Sequence, residues 1–170
     1  IVALVPASAQ ITITAADVNA YLAPGTAVTG RADTVTKTAN IGALGATSWN
    51  FSTLNTNFTT TSTSVRPDTT PPFGFFPGST HAQRESIAGV GTAYSYYKLG
   101  TNLLFTGIAV TGGFELRTRN IPDETVYQLP MTLGTSWTTT YVESLIVTLP
   151  PPLPPQITIT NYTVINTVDA

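Results

Sequence analysis

Threonine-rich segments with alternating apolar residues, separated by glycine and proline, restrict most strongly how this chain can fold. The 170 residues include 33 threonines, 13 glycines and 13 prolines, and no helical periodicity persists for three turns. Threonine is β-branched and fits a half-exposed pleated surface better than a helix. Short strands with turn residues about every 8–12 residues are typical of sandwiches and barrels. The sequence therefore predicts an all-β fold, an antiparallel sandwich or barrel-like sheet of about ten short strands.

Ten segments have the composition and alternation of strands, and the clearest pair forms a hairpin around Gly100. We expect Gly100 to take the positive φ that a tight turn needs. Trp137, Tyr141 and Glu143 share the side of a long strand that is expected to face the core. Glu143 is therefore expected near a strand end or at a bulge. The alternation of apolar residues changes phase at Asn161, which predicts a bulge there as well. The segments are residues 11–14, 26–38, 48–52, 58–65, 92–98, 102–110, 114–119, 125–129, 136–149 and 156–168.

Three other segments break the strand pattern. Residues 17–22 predict one helical turn that Pro24 and Gly25 stop. Residues 67–78 contain four prolines and three phenylalanines, which predicts a loop whose phenylalanines fold back on the sheet and where function is expected. Residues 149–155 contain five prolines and predict an extended, stiff crossover between strands, with a PxxP peptide ligand as the alternative.

Composition and charge exclude several classes of protein. Charged residues make up 9% of the chain and the net charge is −2, so no basic patch predicts nucleic-acid binding. No run of 18 apolar residues predicts a membrane span. The chain has no cysteine, so it has neither a disulfide framework nor a thiol nucleophile. Hydrophobic residues at 42% and aromatic residues at 9% indicate a folded domain rather than a disordered one.

The beginning of the chain indicates export. Residues 1–6 are apolar, and Ala7, Ser8 and Ala9 match the small-x-small pattern of a secretory cleavage site. We interpret residues 1–9 as the remnant of a signal peptide cleaved before Gln10, and residues 10–170 as a single β domain, truncated at its carboxyl-terminal end. The alternative is that residues 1–5 form a buried first strand.

His81 is the only histidine and would be the base of any hydrolase mechanism. Ser79 or Ser86 would then be the nucleophile, and Glu85 would orient the imidazole. Such groups need fixed geometry that neighbours in one loop rarely reach, and no Gly-x-Ser-x-Gly motif is present. The sequence predicts a polar loop here and no catalytic residues.

Metal and glycosidase sites are also poorly supported. Zinc needs several histidine or cysteine ligands, and Asp123 with Glu124 is the one adjacent acidic pair, without a calcium-loop motif. For glycoside hydrolysis, Glu115, Glu143, Asp123 and Glu124 are candidates, but no spacing singles out two of them. We predict no metal and no cofactor.

Five aromatic residues offer the remaining candidate for binding. They could form a platform on which sugars stack, but aromatic residues at strand spacing more often belong to the core. The ligand-binding residues therefore stay unknown at this point. The five are Trp49, Tyr94, Tyr96, Tyr97 and Trp137.

Several motifs together resemble a known group of exported proteins. After the signal-like start comes Ala-Gln-Ile-Thr-Ile-Thr at residues 9–14, then Ala-Thr-Ser-Trp-Asn-Phe-Ser at residues 46–52, and Leu-Pro-Met-Thr-Leu-Gly-Thr-Ser-Trp at residues 129–137. This pattern resembles the amino-terminal region of secreted bacterial proteins of the type IX secretion carboxy-terminal sorting-domain group. The resemblance covers most of the chain from Gln10 onward and implies the outer surface of a Gram-negative bacterium or secretion from it. It implies no enzymatic activity.

The sequence thus predicts a non-catalytic β-module of a secreted or cell-surface bacterial protein, with a structural, adhesive or ligand-binding role. Its expected partners are a cell-surface polymer, a glycan or another β-module. One alternative is a carbohydrate-binding accessory domain of a secreted hydrolase. Another is a self-assembling surface or filament subunit that pairs strands between copies, for which residues 11–14 offer an edge.

Overall fold

The described part of the chain is built around one antiparallel sheet. The structure is a computed structural model and describes residues 11–32 and 58–168. The predicted signal-peptide remnant at residues 1–9 and the predicted strand at residues 48–52 with Trp49 lie outside the described residues.

One short helix and nine strands follow each other along these residues. The helix α1 spans Ala15–Tyr21, and two single-turn 3-10 helices, Pro67–Thr69 and Pro71–Phe75, lie between the second and third strands. The strands are β1 (Ala27–Ala32), β2 (Phe58–Val65), β3 (His81–Ile87), β4 (Gly91–Leu99), β5 (Asn102–Gly112), β6 (Glu115–Ile121), β7 (Glu124–Gln128), β8 (Ser136–Thr148) and β9 (Gln156–Thr167).

The strands form an antiparallel meander in the order β1-β2-β3-β4-β5-β6-β8-β9. The strand β7 pairs with the beginning of β5, beside the position where β6 pairs with its end. No pairing joins β9 back to β1 among the described strands, so this sheet is open. The all-β, antiparallel prediction is confirmed.

One face of the sheet, called the loop face here, is covered by residues 67–78. Phe76 is 1% exposed, and its ring stacks on that of Tyr96 at 4.2 Å between centroids. Ala82 and Ala109 complete this core. The proline-rich loop therefore folds back on the sheet as predicted, except that Phe75 stays 54% exposed with the Arg117 guanidinium 3.8 Å from its ring centroid.

The opposite face, called the helix face, is covered by α1. Val18 and Leu22 are buried against Leu103 of β5. Their spacing of four residues places both side chains on the same side of the helix. A helix of seven residues is too short to be stable alone in water, so this packing holds α1 in place.

Two local predictions are wrong. Gly100 does not have a positive φ, because its N–H donates to the Asn102 carbonyl at 3.0 Å and closes the turn without it. No bulge occurs at Asn161, since β8 and β9 pair without a register shift from Ser136–Thr167 to Val147–Gln156. The apolar residues of β9 change sides because this strand, the last of the described sheet, is largely exposed.

Glu143 also differs from its expected position. It lies in the middle of β8, opposite Asn120 of β6 and Thr160 of β9, with no shift in register. The proline-rich residues 149–155 connect β8 and β9, which are neighbours in an antiparallel pair. They therefore form the connection of a hairpin rather than a crossover. Within the described ranges, no helix has the length and apolarity that crossing a membrane requires.

Candidate ligand-binding groove

An open groove lies between α1 and the helix face of the sheet, with a volume of about 510 Å³. Strands β3, β4, β5 and β7 form its floor, and α1 forms one wall. Most of the lining side chains are apolar, which is typical of ligand sites that fix orientation with a few polar groups. The lining residues are Ile13, Asp17, Val18, Tyr21, Leu22, Gln83, Tyr97, Leu103, Val126, Tyr127 and Met131. We call this the α1 groove.

The wall of the α1 groove begins at a capping box. The Thr14 hydroxyl accepts from the Asp17 N–H at 3.4 Å, and the Thr14 N–H donates to the Asp17 carboxylate at 2.8 Å. This reciprocal pair satisfies donors that a helix start leaves without partners. The same hydrogen bonds from Thr14 lower the pKa of Asp17, so its carboxylate is charged at neutral pH.

The segment before the capping box is attached to the other side of the groove. Ile13 and Met131 exchange two backbone hydrogen bonds, each of 2.9 Å, as an isolated antiparallel bridge. The alternation of residues 11–14 predicts a strand, but the structure contains only this single bridge there. The bridge holds the residues just before α1, and the buried Val18 and Leu22 hold the helix and its carboxyl-terminal end against the sheet.

Three tyrosines converge in the groove. Tyr97 of β4 lies deepest, and its hydroxyl donates to the Gln83 side-chain oxygen at 3.4 Å. Burial raises the pKa of Tyr97, and the nearby Tyr127 and Tyr21 raise it further. Tyr21 is 50% exposed and Tyr127 is 40% exposed, so both rings are accessible to a ligand.

His81 lies beside the groove and connects the helix to the sheet. Its Nε2 lies 3.1 Å from the Asn19 side-chain oxygen, and its Nδ1 lies 2.8 Å from the Thr80 hydroxyl. An amide oxygen only accepts, so Nε2 carries the proton and Nδ1 accepts from Thr80. Burial lowers the pKa of His81, which keeps this neutral form at pH 7.

The structure does not bring the predicted serines to His81. Ser86 lies five residues after His81 in β3, so their side chains point to opposite faces. Ser86 is on the loop face and His81 is on the helix face. Ser79 is 8% exposed, and its hydroxyl has no hydrogen-bond partner within residues 11–32 and 58–168. Glu85 lies four residues along β3 from His81, roughly 13 Å away. The hydroxyl that does contact His81, that of Thr80, also accepts from the Leu99 N–H at 2.9 Å.

Two of the four candidate carboxylates meet on the helix face. Burial raises the pKa of Glu124, and the charge of Glu143 raises it further. The Asn120 amide donates to Glu124 at 3.4 Å. Glu124 also raises the pKa of the neighbouring Tyr141, which reaches about 12 mainly through burial. Neither glutamate lines the α1 groove.

The other two carboxylates lie elsewhere. Asp123 forms an ion pair with Lys98 at 2.7 Å, and Glu115 lies at the first position of β6, opposite Thr148. Among the described residues, no three histidine, aspartate or glutamate side chains lie together in a way that could hold a metal ion.

The four described residues of the predicted aromatic platform do not lie together. Tyr96 is fully buried on the loop face, where its hydroxyl lies 2.6 Å from that of Thr70, and Tyr94 packs beside it. Tyr97 lies on the helix face, in the groove. Trp137 donates from its indole N–H to the Thr125 carbonyl at 2.9 Å. Trp49 is not among the described residues.

Sequence reasoning missed Tyr21 and Tyr127. Tyr21 lies three residues after Val18, next to the buried side of α1, and this spacing is visible in the sequence. Tyr127 belongs to a five-residue strand whose neighbours depend on where β7 pairs with β5. That pairing is not visible in the sequence.

In comparisons with known proteins, no family model matches this chain, and no curated protein or solved structure matches it. The resemblance to the type IX sorting-domain group therefore stays a prediction from the quoted motifs.

Proposed function

We propose that this chain is a non-catalytic β-module of a secreted or cell-surface bacterial protein, and that it binds a neutral saccharide in the α1 groove. The convergence of Tyr21, Tyr97 and Tyr127 over an apolar floor supports the proposal most strongly. Export is supported by the apolar start followed by Ala7, Ser8 and Ala9, and by the resemblance to the type IX group.

The chemistry of the groove favours a sugar. A tyrosine ring offers an apolar surface with a hydroxyl at its edge, and a sugar ring offers apolar C–H faces with hydroxyls around them. Gln83 and the tyrosine hydroxyls can donate to and accept from those hydroxyls. The lining includes the charged Asp17 and no lysine or arginine, which disfavours an anionic ligand.

The surroundings of His81 support a module without catalysis. Its two ring nitrogens are engaged by Asn19 and Thr80, and these contacts attach α1 to β3 and β4. Thr80 in turn accepts from a backbone N–H, which stabilises its position as a structural link. His81 therefore holds the wall of the groove in place.

The first prediction concerns binding. We expect the chain to bind a neutral oligosaccharide on a glycan array, and Tyr127→Ala and Tyr21→Ala each to weaken that binding about three- to tenfold. Each ring that stacks on a ligand contributes roughly 0.5–1.5 kcal/mol, and 1.4 kcal/mol is a factor of ten. Isothermal titration calorimetry with the best ligand from the array measures the change.

Phe75→Ala is the matched control, because Phe75 is similarly exposed at 54% but lies on the loop face. It should leave the affinity unchanged. The proposal fails if no neutral glycan binds, or if both tyrosine variants bind as tightly as the wild type.

A further inference from the structure

The strand β9 lies at the end of the described sheet. Within the described residues, β9 pairs with β8 alone and is the last strand of the sheet. It is 12 residues long, about 40 Å at the rise of an antiparallel strand. Such an edge presents a row of N–H and C=O groups that can pair with another chain.

The orientation of these backbone groups follows from the contacts with β8. The Val168 N–H donates to the Thr135 carbonyl, and the Asn166 carbonyl accepts from the Ser136 hydroxyl. Even-numbered residues thus point their backbone groups toward β8. Since the direction alternates along a strand, the odd-numbered residues from Ile157 to Thr167 point theirs outward.

The side chains of those same odd-numbered residues lie on the loop face, in line with Arg117 and Ile146. Residues 67–78 do not cover this end of the sheet, and three isoleucines remain exposed there. Ile157 is 64% exposed, Ile159 is 67% exposed and Ile165 is 74% exposed. Within the described part of the chain, the edge therefore combines backbone groups that have no strand partner with apolar side chains.

The strand lacks the features that normally keep an edge from pairing. Natural edge strands carry charges, prolines or bulges that prevent association. Residues 156–167 contain no charged residue and no proline, and their register with β8 shows no bulge. An identical copy meets no like charge along this strand, so the edge suits a second copy of the same chain.

We propose that two copies of this chain form a dimer by antiparallel pairing of β9 with β9, around a twofold axis at Tyr162. In this register each outward-pointing residue from Ile157 to Thr167 faces an outward-pointing residue of the other copy. Ile159 lies opposite Ile165, and Asn161 lies opposite Thr163. A shift by one residue would place outward groups opposite inward ones and lose the hydrogen bonds.

The first test is the mass in solution. Sedimentation of the 170-residue chain at about 100 µM should give twice 17.9 kDa. Ile159→Lys places a charge on the pairing surface and should weaken the dimer at least tenfold. Ile121→Lys is the matched control, since Ile121 is 61% exposed on the same face but lies on β6; it should leave the dimer intact. A monomeric wild type, or a dimer unaffected by Ile159→Lys, overturns the proposal.

The second test is the register. The chain has no cysteine, so Tyr162→Cys introduces a single thiol that faces its own copy across a non-hydrogen-bonded pair, about 4.5 Å between Cα atoms. Oxidation should link it into a covalent dimer. In Thr160→Cys the two thiols lie four residues apart, roughly 13 Å, too far for a disulfide. Linkage of Thr160→Cys, or of neither variant, overturns the register. Neither test depends on the saccharide proposal, because neither measures ligand binding.

Discussion

At the scale of single residues, Gly107 shows how closely the core of the loop face is packed. It lies in β5, opposite Tyr96 of β4 and next to the register shift between Tyr96 and Tyr97. Its φ is 150°, a conformation that side chains rarely adopt. A Cβ at this position would collide with the Thr118 carbonyl and come within 3.0 Å of the Phe76 ring. The packing of Phe76 on the sheet therefore depends on glycine here.

We expect Gly107→Ala to destabilise the fold by about 2–4 kcal/mol, because strain in the backbone adds to the collision with Thr118. Urea unfolding followed by circular dichroism measures the loss. Gly100→Ala is the control, since Gly100 has an ordinary φ and open space around its missing Cβ. Equal stability of the two variants would contradict this account.

The lowered pKa of His81 makes the stability of the folded chain depend on pH. Burial lowers its pKa in the folded chain from the ordinary value of 6.5, so the unfolded chain binds the proton more tightly. The contribution of His81 to the free energy of unfolding is therefore largest well above pH 6.5, and it decreases as the pH falls through 6.5. We expect the urea midpoint to drop between pH 7.5 and 5.5.

His81→Gln should remove most of that drop, because His81 is the only histidine of the chain. The raised pKa of Glu124 makes the folded chain more stable as the pH falls, in the wild type and in His81→Gln alike. The difference in pH dependence between the two proteins therefore comes from the histidine. The same decrease in the variant as in the wild type would assign the pH dependence to other groups.

At the scale of elements, α1 is stable because of its contacts and not because of its length. Its seven residues form a wall of the groove only through the capping box, the buried Val18 and Leu22, and the link from Asn19 to His81. Of these contacts, the capping box joins residues of the helix start to each other, whereas the others join α1 to the sheet. Its loss therefore separates the local contribution from the tertiary one.

Thr14→Ala should cost about 1 kcal/mol of stability, because the Asp17 N–H loses its acceptor and the Asp17 carboxylate loses the Thr14 hydroxyl. Hydrogen exchange in residues 15–18 should be faster in Thr14→Ala than in the wild type, while exchange in the other residues stays the same. Thr101→Ala, at an exposed position in the turn between β4 and β5, should change neither quantity. Unchanged exchange in Thr14→Ala would show that packing alone defines the start of α1.

At the scale of the whole molecule, the two faces of the sheet are covered over different areas. Residues 67–78 cover β3, β4 and β5 on the loop face, and α1 covers β4, β5 and β7 on the helix face. The strands β8 and β9 extend beyond both coverings, which leaves Ile157, Ile159 and Ile165 exposed. The proposed ligand site lies at the covered part of the sheet and the proposed dimer edge at the uncovered part.

The sequence by itself determined the fold class, most of the strands and the return of Phe76 to the sheet, because a period of two and the turn preferences of glycine and proline are local properties. Only the tertiary structure decided that Tyr21, Tyr97 and Tyr127 meet, that His81 contacts Asn19, and that β9 is the last strand of the described sheet. These depend on which strands pair and in what register, so residues distant in the chain become neighbours. The absence of the predicted bulge at Asn161 has the same origin, since a strand without a covering layer does not need its apolar residues on one side.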